Sequence, residues 1–309
     1  ADGKLSLLGA QPSYGSKPSF LTTDEEGKIA LPESYLTDAA ILQLSAEDEQ
    51  GNVSFATSAF CRVAAGESEG PQFVSSKANQ GSETQQNISW LTNPLMAEGK
   101  AIVRYMTLDA YNANGQSFES GYTKFEGVSR LLAIGENVTA AENTAVLLNT
   151  AQITGLDKNT RYVYIVGDGT VWSEVHSFST TLKGEDTNFF VIGDTQAENA
   201  ANIQNIAQYI GGSGLDYSFG IQTGDFVDSA SSYAQWAEIL GVFSSNFSNV
   251  DMIHVLGNHE YAGDFDGDIA SSINMLASTS YYSVTYGNTY VAVINYCGAE
   301  DLQKALAWV

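Results

Sequence analysis

Three short apolar runs, each closed by glycine and polar residues, organise the second half of the chain. Phe189-Phe190-Val191-Ile192 runs into Gly193-Asp194-Thr195-Gln196. Tyr217-Ser218-Phe219-Gly220-Ile221 continues through Gln222-Thr223 into Gly224-Asp225-Phe226-Val227-Asp228. Met252-Ile253-His254-Val255-Leu256 ends at Gly257-Asn258-His259-Glu260. Apolar runs of this length, bounded by glycine and polar residues, read as buried strands. Between them the apolar positions change to helical spacing: Ile203, Ile206 and Ile210 within 197–210, and Trp236, Ile239, Leu240 and Phe243 within 233–243. Such stripes are core faces of helices. Asp194, Asp225 and Asn258 follow one another at intervals of 31 and 33 positions, enough for βαβ units of about 30 residues or more. The pattern predicts a parallel sheet with these three residues at the carboxyl ends of its strands, where open α/β sheets bind ligands.

The first half of the chain has a different rhythm. Residues 40–46 and 53–57 flank the turn Glu47-Asp48-Glu49-Gln50-Gly51-Asn52 as a hairpin, and Gly66-Glu67-Ser68-Glu69-Gly70-Pro71 reads as a linker. Beyond it, strands are expected at 87–92, 101–106, 162–166 and 172–178, separated by turn residues such as Gly167-Asp168-Gly169. Short strands at regular intervals predict a β-sandwich. Lys183-Gly184-Glu185-Asp186-Thr187 forms a short charged junction. Near the end, 281–286 and 289–295 read as a hairpin through Gly287-Asn288, followed by a helix from Asp301. The expected division is therefore a partial Ig-like, β-rich segment over 1–66, a sandwich over 67–183, and an α/β domain over 184–309.

Charge narrows the range of partners. Thirteen basic against 36 acidic residues in 309 give a net charge of −23, which argues against nonspecific nucleic-acid or anionic-membrane binding. It suits a secreted or cell-surface protein in a divalent-cation environment, with cell-wall association as one setting. No apolar run approaches 18 residues, so no membrane-spanning helix is expected. The two cysteines, Cys61 and Cys297, fall in different segments and form no disulfide framework. Four Asn-x-Ser/Thr sequons, at Asn52, Asn87, Asn137 and Asn246, are no more than an asparagine-rich chain contains by chance.

The chemistry lies at the three strand ends. Carboxylate and amide oxygens are ligands for hard divalent ions, and a shared carboxylate can hold two ions about 3.5–4 Å apart, the arrangement that attacks phosphate esters. Taken singly, a strand-end Asp is a turn residue or helix cap, Asn258 a turn residue and His259 a surface histidine; three such ends in register favour a site. His254, inside its apolar run, belongs to the core, and His176 to a strand. The acidic stretch Gly263-Asp264-Phe265-Asp266-Gly267-Asp268 has some of the residues of a cation loop but not the terminal bidentate glutamate of a calcium loop.

Gly193-Asp194-Thr195-Gln196, Gly224-Asp225-Phe226-Val227-Asp228 and Gly257-Asn258-His259-Glu260 resemble, in order and spacing, the first three motifs of the calcineurin-like metallophosphoesterases. A second resemblance precedes them. Ser89-Trp90-Leu91-Thr92, Val103-Arg104-Tyr105, Leu156 to Tyr164, Gly167-Asp168, Trp172-Ser173 and Phe178-Ser179-Thr180 are similar to the fibronectin-III-like N-terminal domain of purple acid phosphatases, which adjoins a metallophosphoesterase domain in that family. Together the resemblances cover 71–309. They imply an all-β Ig/fibronectin-III-like sandwich region followed by an α/β metallophosphoesterase domain, here its N-terminal half. They also imply a hydrolase that cleaves small-molecule phosphate mono- or diesters with a metal-activated hydroxide. By resemblance Asp194 binds one of two divalent metal ions, Asp225 bridges both, and Asn258 binds the second. His259 contacts the phosphate or protonates the leaving oxygen, and Glu260 is its orienting partner. Gln196 and Asp228 are secondary candidates.

The departures from the family pattern sharpen the expectation. Gln196 stands where the general family has histidine, and Asp228 where purple acid phosphatases have the tyrosine whose phenolate favours ferric iron, so Mn, Zn, Fe or Mg all remain open. The later histidine motifs of the family are absent: the chain's three histidines are His176, His254 and His259. The expectation is thus a fragment of a longer enzyme, inactive by itself. The rival reading is a cell-surface adhesion or glycan-binding β-module carrying an inert phosphoesterase-like domain.

Overall fold

The computed structural model describes residues 4–8, 19–22, 40–47, 53–60, 70–78, 80–93, 100–134, 144–196, 200–264, 267–275, 281–295 and 299–308. The linker at 66–69, both cysteines and the first helical residues expected at 197–199 lie outside them. The chain divides into two compact units, 1–65 with 133–145, and 66–132 with 146–309. In the first, strands β1 (Lys4–Leu8), β2 (Ser19–Thr22), β3 (Ala40–Glu47) and β4 (Val53–Phe60) form an antiparallel sheet in the order β2-β1-β3-β4. The expected hairpin is its β3–β4 pair, in register from Ala40↔Phe60 to Glu47↔Val53.

The sandwich follows the first four strands in sequence. One sheet contains β5 (Gln72–Lys77), β6 (Gln85–Thr92), β9 (Val128–Ile134) and β10 (Thr144–Thr154). The other contains β7 (Ile102–Thr107), β8 (Thr123–Glu126), β11 (Arg161–Gly167) and β12 (His176–Ser179), with helix α1 (Leu108–Ala113) between β7 and β8. Alternation along the strands sends Ile88 and Trp90, Val103, Tyr162, Tyr164 and Val166 inward, where they meet Val74, Ile153 and Phe178. A period of two is what a sheet with one buried face requires. The outer face of β11 is also covered: Val163 and Ile165 pack with Met106 and Phe118 beneath Leu108, Tyr111 and Trp172. This covering explains why β11 reads as a continuous apolar run. The strand expected over 172–178 is shorter than predicted. Trp172 makes one bridge to Gly167, and regular pairing starts at His176.

The α/β part follows as β13 (Phe189–Ile192), α2 (Ala200–Gly211), β14 (Phe219–Gln222), α3 (Tyr233–Phe247), β15 (Asp251–His254), α4 (Asp268–Ile273), the hairpin β16 (Tyr281–Tyr286) and β17 (Thr289–Ile294), and α5 (Ala299–Trp308). The three predicted strands are parallel and adjacent, in the order β13-β14-β15. Helix α3, capped by Ser232 accepting from Gln235 N–H, buries Trp236, Ile239, Leu240, Val242, Phe243 and Phe247. At about 1.5–3 kcal/mol for each large apolar side chain withdrawn from water, this face is a major stabilising element. Helix α2 packs through Ile203 and Ala207, whereas Ile206, expected on the buried face, is 45% exposed. The smaller Ala207 lets the helix lie close, and Ile206 rotates outward. The hairpin covers the other face of the sheet, where Tyr282, Val284, Tyr286 and Val293 meet Phe219 and Ile253.

One long-range connection has no counterpart in the hydrophobic pattern. Strand β5 of the sandwich pairs in parallel with β15 at Lys77↔Met252, and Ala78 N–H donates to Met252 C=O at 3.0 Å. The sandwich sheet and the α/β sheet are therefore one seven-stranded sheet, β13-β14-β15-β5-β6-β10-β9. Among the described residues no helix is long and apolar enough to cross a membrane.

Candidate active site

Ile192, Gln222 and His254 stand level across the parallel ladder, so the chain leaves all three strands on one side of the sheet. Each exit is a tight turn. Asp194 and Asp225 adopt left-handed backbone angles, φ 50° and 53°, a region that Asp tolerates better than most residues and that collects at functional turns. Polar contacts join the first two turns. Thr195 N–H donates to Asp225 C=O at 2.9 Å and Asp194 N–H to Gly224 C=O at 3.3 Å. Buried Gln222 closes the second turn on itself, donating to Gly224 C=O at 2.9 Å and accepting from Gly224 N–H at 3.0 Å.

The second and third turns meet backbone to backbone. A Cβ on Gly257 would fall 2.2 Å from Asp225 Oδ1 and 2.4 Å from Asp225 N, so only glycine fits there. The Asp225 carboxylate accepts the backbone N–H of His259 at 3.2 Å. His259 Nδ1 lies 2.9 Å from the backbone carbonyl of Asp228. A carbonyl only accepts, so Nδ1 carries the proton and donates. That carbonyl is the main cause holding His259 above the ordinary histidine range; burial opposes it, and the charges of Asp225, Asp228 and Glu260 reinforce it.

Glu260 does not take the role expected of it. Rather than orienting the His259 ring, its carboxylate is fully buried and accepts four backbone N–H groups. They come from Asp225 at 2.9 Å, Phe226 at 2.6 Å, Val227 at 3.2 Å and Gly257 at 2.7 Å. Burial raises its proton affinity and the four donors pull it back; the net direction is upward. The contact that orients the imidazole comes from the Asp228 carbonyl, a main-chain role that no side-chain motif announces.

The turns thus present Asp194, Asp225, Asn258 and His259 at one end of the sheet, with Asp194 and Asn258 exposed, Asp225 and His259 partly buried, and Gln196 and Asp228 beside them, also partly buried. Two carboxylates and an amide oxygen fit a hard divalent ion. Among the described residues, no group of three or more His, Cys, Asp and Glu side chains is placed to hold a metal ion; the candidate donors named here are the carboxylates of Asp194 and Asp225 and the Asn258 amide oxygen. Two further residues support the turns, Thr195 inside the first motif and Asn295 outside all three. Thr195, buried in the first turn, takes a hydrogen bond from Gln222 Nε2 at 3.3 Å, and buried Asn295, one residue past β17, accepts from Leu256 N–H at 2.9 Å and so fixes the third turn. A polar residue at the end of an apolar run is the signal that each leaves in the sequence. The acidic stretch after Glu260 has a structural use instead: Asp264 accepts from Ile269 N–H at 2.7 Å, at the start of α4. Asp266 lies outside the described residues.

Residues 71–180 match the family described as Purple acid Phosphatase, N-terminal domain, and residues 187–299 match the family described as Calcineurin-like phosphoesterase. The chain therefore carries a purple-acid-phosphatase-type β domain followed by a calcineurin-like phosphoesterase domain. Among solved structures, a purple acid phosphatase isolated from yellow lupin (Lupinus luteus) seeds is similar over all of this chain and 65% of its own length, with 14% identity and a TM-score of 0.58. PhoD is similar over 75% of this chain and 53% of its own, with 12% identity and a TM-score of 0.48. The chain thus spans under two-thirds of the lupin protein. No curated protein sequence matches it.

Proposed function

We propose that the chain contributes the metal- and phosphate-facing turns of a metal-dependent phosphoesterase acting on small phosphate mono- or diesters. The observation that carries this reading is the position of Asp225. It lies in the turn that leaves β14, the middle of the three parallel strands, between the turns bearing Asp194 and Asn258, and its carboxylate is held by the N–H of His259, all within the segment that matches the calcineurin-like phosphoesterases. Asp194, Asp225 and Asn258 would hold two divalent ions, Mn, Zn, Fe or Mg. When bound, such ions neutralise phosphate charge and make a water acidic enough to serve as nucleophile near neutral pH.

The protein's own groups supply the rest. The backbone of the three turns sets the donors at one end of a rigid sheet. His259, with Nδ1 fixed on the Asp228 carbonyl, has Nε2 left to meet a phosphate oxygen or to give a proton to the departing alkoxide. The strongly acidic chain supports placement outside the cell or at its surface, where divalent ions screen that charge. Asp194, Asp225 and Asn258 offer oxygen donors, which suit Mg or Mn better than Zn.

Hydrolysis of 4-nitrophenyl phosphate and of bis(4-nitrophenyl) phosphate, with each metal in turn, tests the reading. Metal-dependent turnover lost in Asp225→Asn supports it. Turnover indifferent to that substitution, or none with any metal in the longest natural form of the protein, leaves the adhesion-module reading.

A further inference from the structure

We infer that Glu260 is a positioning residue that locks the second and third turns together before any metal binds; its consequence for turnover rests on the phosphoesterase reading, but the lock itself does not. An ionised carboxylate is acceptor-only, with about four lone-pair sites. Here all four are used by main-chain donors: Asp225, Phe226 and Val227 from the second turn, and Gly257 from the third. Three consecutive N–H groups following a left-handed residue form a concave nest for an anion, and the chain fills that nest with its own side chain. The exchange is reciprocal, because Asp225 Oδ1 takes the N–H of His259, next to Glu260 in the 3₁₀ turn His259–Tyr261.

The consequence is a fixed separation between Asp225 and Asn258. Without Glu260, four N–H groups, those of Phe226 and Val227 fully buried, would lose their acceptor, and the two turns would be joined by the contacts of His259 with Asp225 and with the Asp228 carbonyl and by the close approach at Gly257. Glutamine cannot replace it: its amide has one oxygen, and its NH2 would face donors. Aspartate keeps the charge but is one methylene shorter and reaches one turn less well. Glu260 is fully buried and its oxygens are taken by main-chain donors, so its influence on chemistry passes through Asp225, Asn258 and His259.

Hydrogen exchange on the whole metal-free chain tests the lock. The amides of Asp225, Phe226, Val227 and Gly257 should exchange slowly in the wild type, and about tenfold or more faster in Glu260→Gln, while β11 amides stay unchanged and the surface control Glu238→Gln changes nothing. Tenfold is about 1.4 kcal/mol of opening free energy, the order of what a buried donor left without its acceptor costs. Wild-type exchange at those four amides as fast as in exposed turns overturns the inference even if the variant fails to fold, as does unchanged protection in Glu260→Gln. A second readout separates positioning from mere stability. With Mn²⁺ and aryl phosphate at a temperature where both proteins are folded, Glu260→Gln should lower kcat and manganese affinity with KM little changed, and Glu260→Asp should recover part of both. Equal kcat and equal affinity in wild type and Glu260→Gln overturn the positioning role. A slow-exchange pattern as expected, in a protein with neither manganese binding nor turnover, upholds the lock and sinks the phosphoesterase reading alone.

Discussion

Lys77 Nζ lies 3.4 Å from Nε2 of His254, and both side chains are buried, with 2% and 1% of their surface exposed. Lys77 ends β5 of the sandwich and His254 ends β15, so a basic group from one domain sits under the third turn of the other. The ammonium also donates to Asn274 Oδ1 at 3.4 Å. Burial beside this lysine holds His254 well below the ordinary histidine range, and the imidazole stays neutral, accepting through Nε2.

Burial pushes Lys77 down to about 7. Between there and the ordinary lysine value, ~10.4, the unfolded chain binds more protons than the fold, so stability rises with pH over that interval. Asp251 behaves oppositely. Burial pushes it up to about 7, against the hydrogen bonds from Gln86 and Tyr286. Between the ordinary aspartate value, ~3.9, and about 7, the fold binds more protons, so stability falls as pH rises. His254, held neutral, works against the Asp251 contribution below its ordinary value, ~6.5, because there too the unfolded chain binds the extra proton. The two contributions are therefore read as differences between wild type and variant in thermal melts from pH 4 to 10. The stability of Asp251→Asn relative to wild type should grow as pH rises from 4 to 7, and that of Lys77→Met relative to wild type should fall from 7 to 10, whereas differences independent of pH would refute the assignment.

Gly257→Ala should disable the site without melting the domain. The added Cβ would lie 2.2 Å from Asp225 Oδ1, so the second and third turns must part. Metal-dependent turnover should fall by about 10–100-fold or more, the scale seen when groups supporting ligands are displaced. Gly155→Ala is the matched control. Its φ is +75° with nothing within 4 Å of the new methyl, so it should cost only the left-handed penalty of about 1–2 kcal/mol and leave turnover intact.

Phe226 joins site and core. Its ring packs against Trp236, Phe243 and His254, with centroids 5.5, 4.8 and 5.3 Å away. Truncation of a buried aromatic costs about 3–5 kcal/mol. Phe226→Ala should therefore lower the denaturation midpoint markedly and, by loosening the turn that carries Asp225, weaken metal binding as well. Equilibrium unfolding in urea measures the first effect and manganese titration the second.

His259→Asn should separate chemistry from metal binding. The backbone N–H that holds Asp225 survives the substitution, but the imidazole does not. Turnover should drop by about 10²–10⁴-fold, the usual contribution of a positioned acid or base, with manganese affinity close to wild type. Parallel loss of both would instead make His259 a ligand. Steady-state kinetics beside manganese titration distinguishes the two.

Much of this arrangement is legible in the order of residues alone. The strands at Phe189–Ile192, Phe219–Gln222 and Asp251–His254, the face of α3 and the closing hairpin all follow from apolar periodicity, because a strand or helix must bury a face whose spacing its own geometry dictates. The interval between strand ends places Asp194, Asp225 and Asn258 at one edge for the same local reason. Tertiary structure alone decided which distant groups meet. It assigned Glu260 to four backbone donors rather than to its neighbour His259, tied Leu256 to Asn295, turned Ile206 outward, and set Lys77 against His254, 177 positions away. A hydrogen bond depends on distances of a few tenths of an ångström between segments brought together by the whole fold, and no pattern of residue types along the chain encodes them.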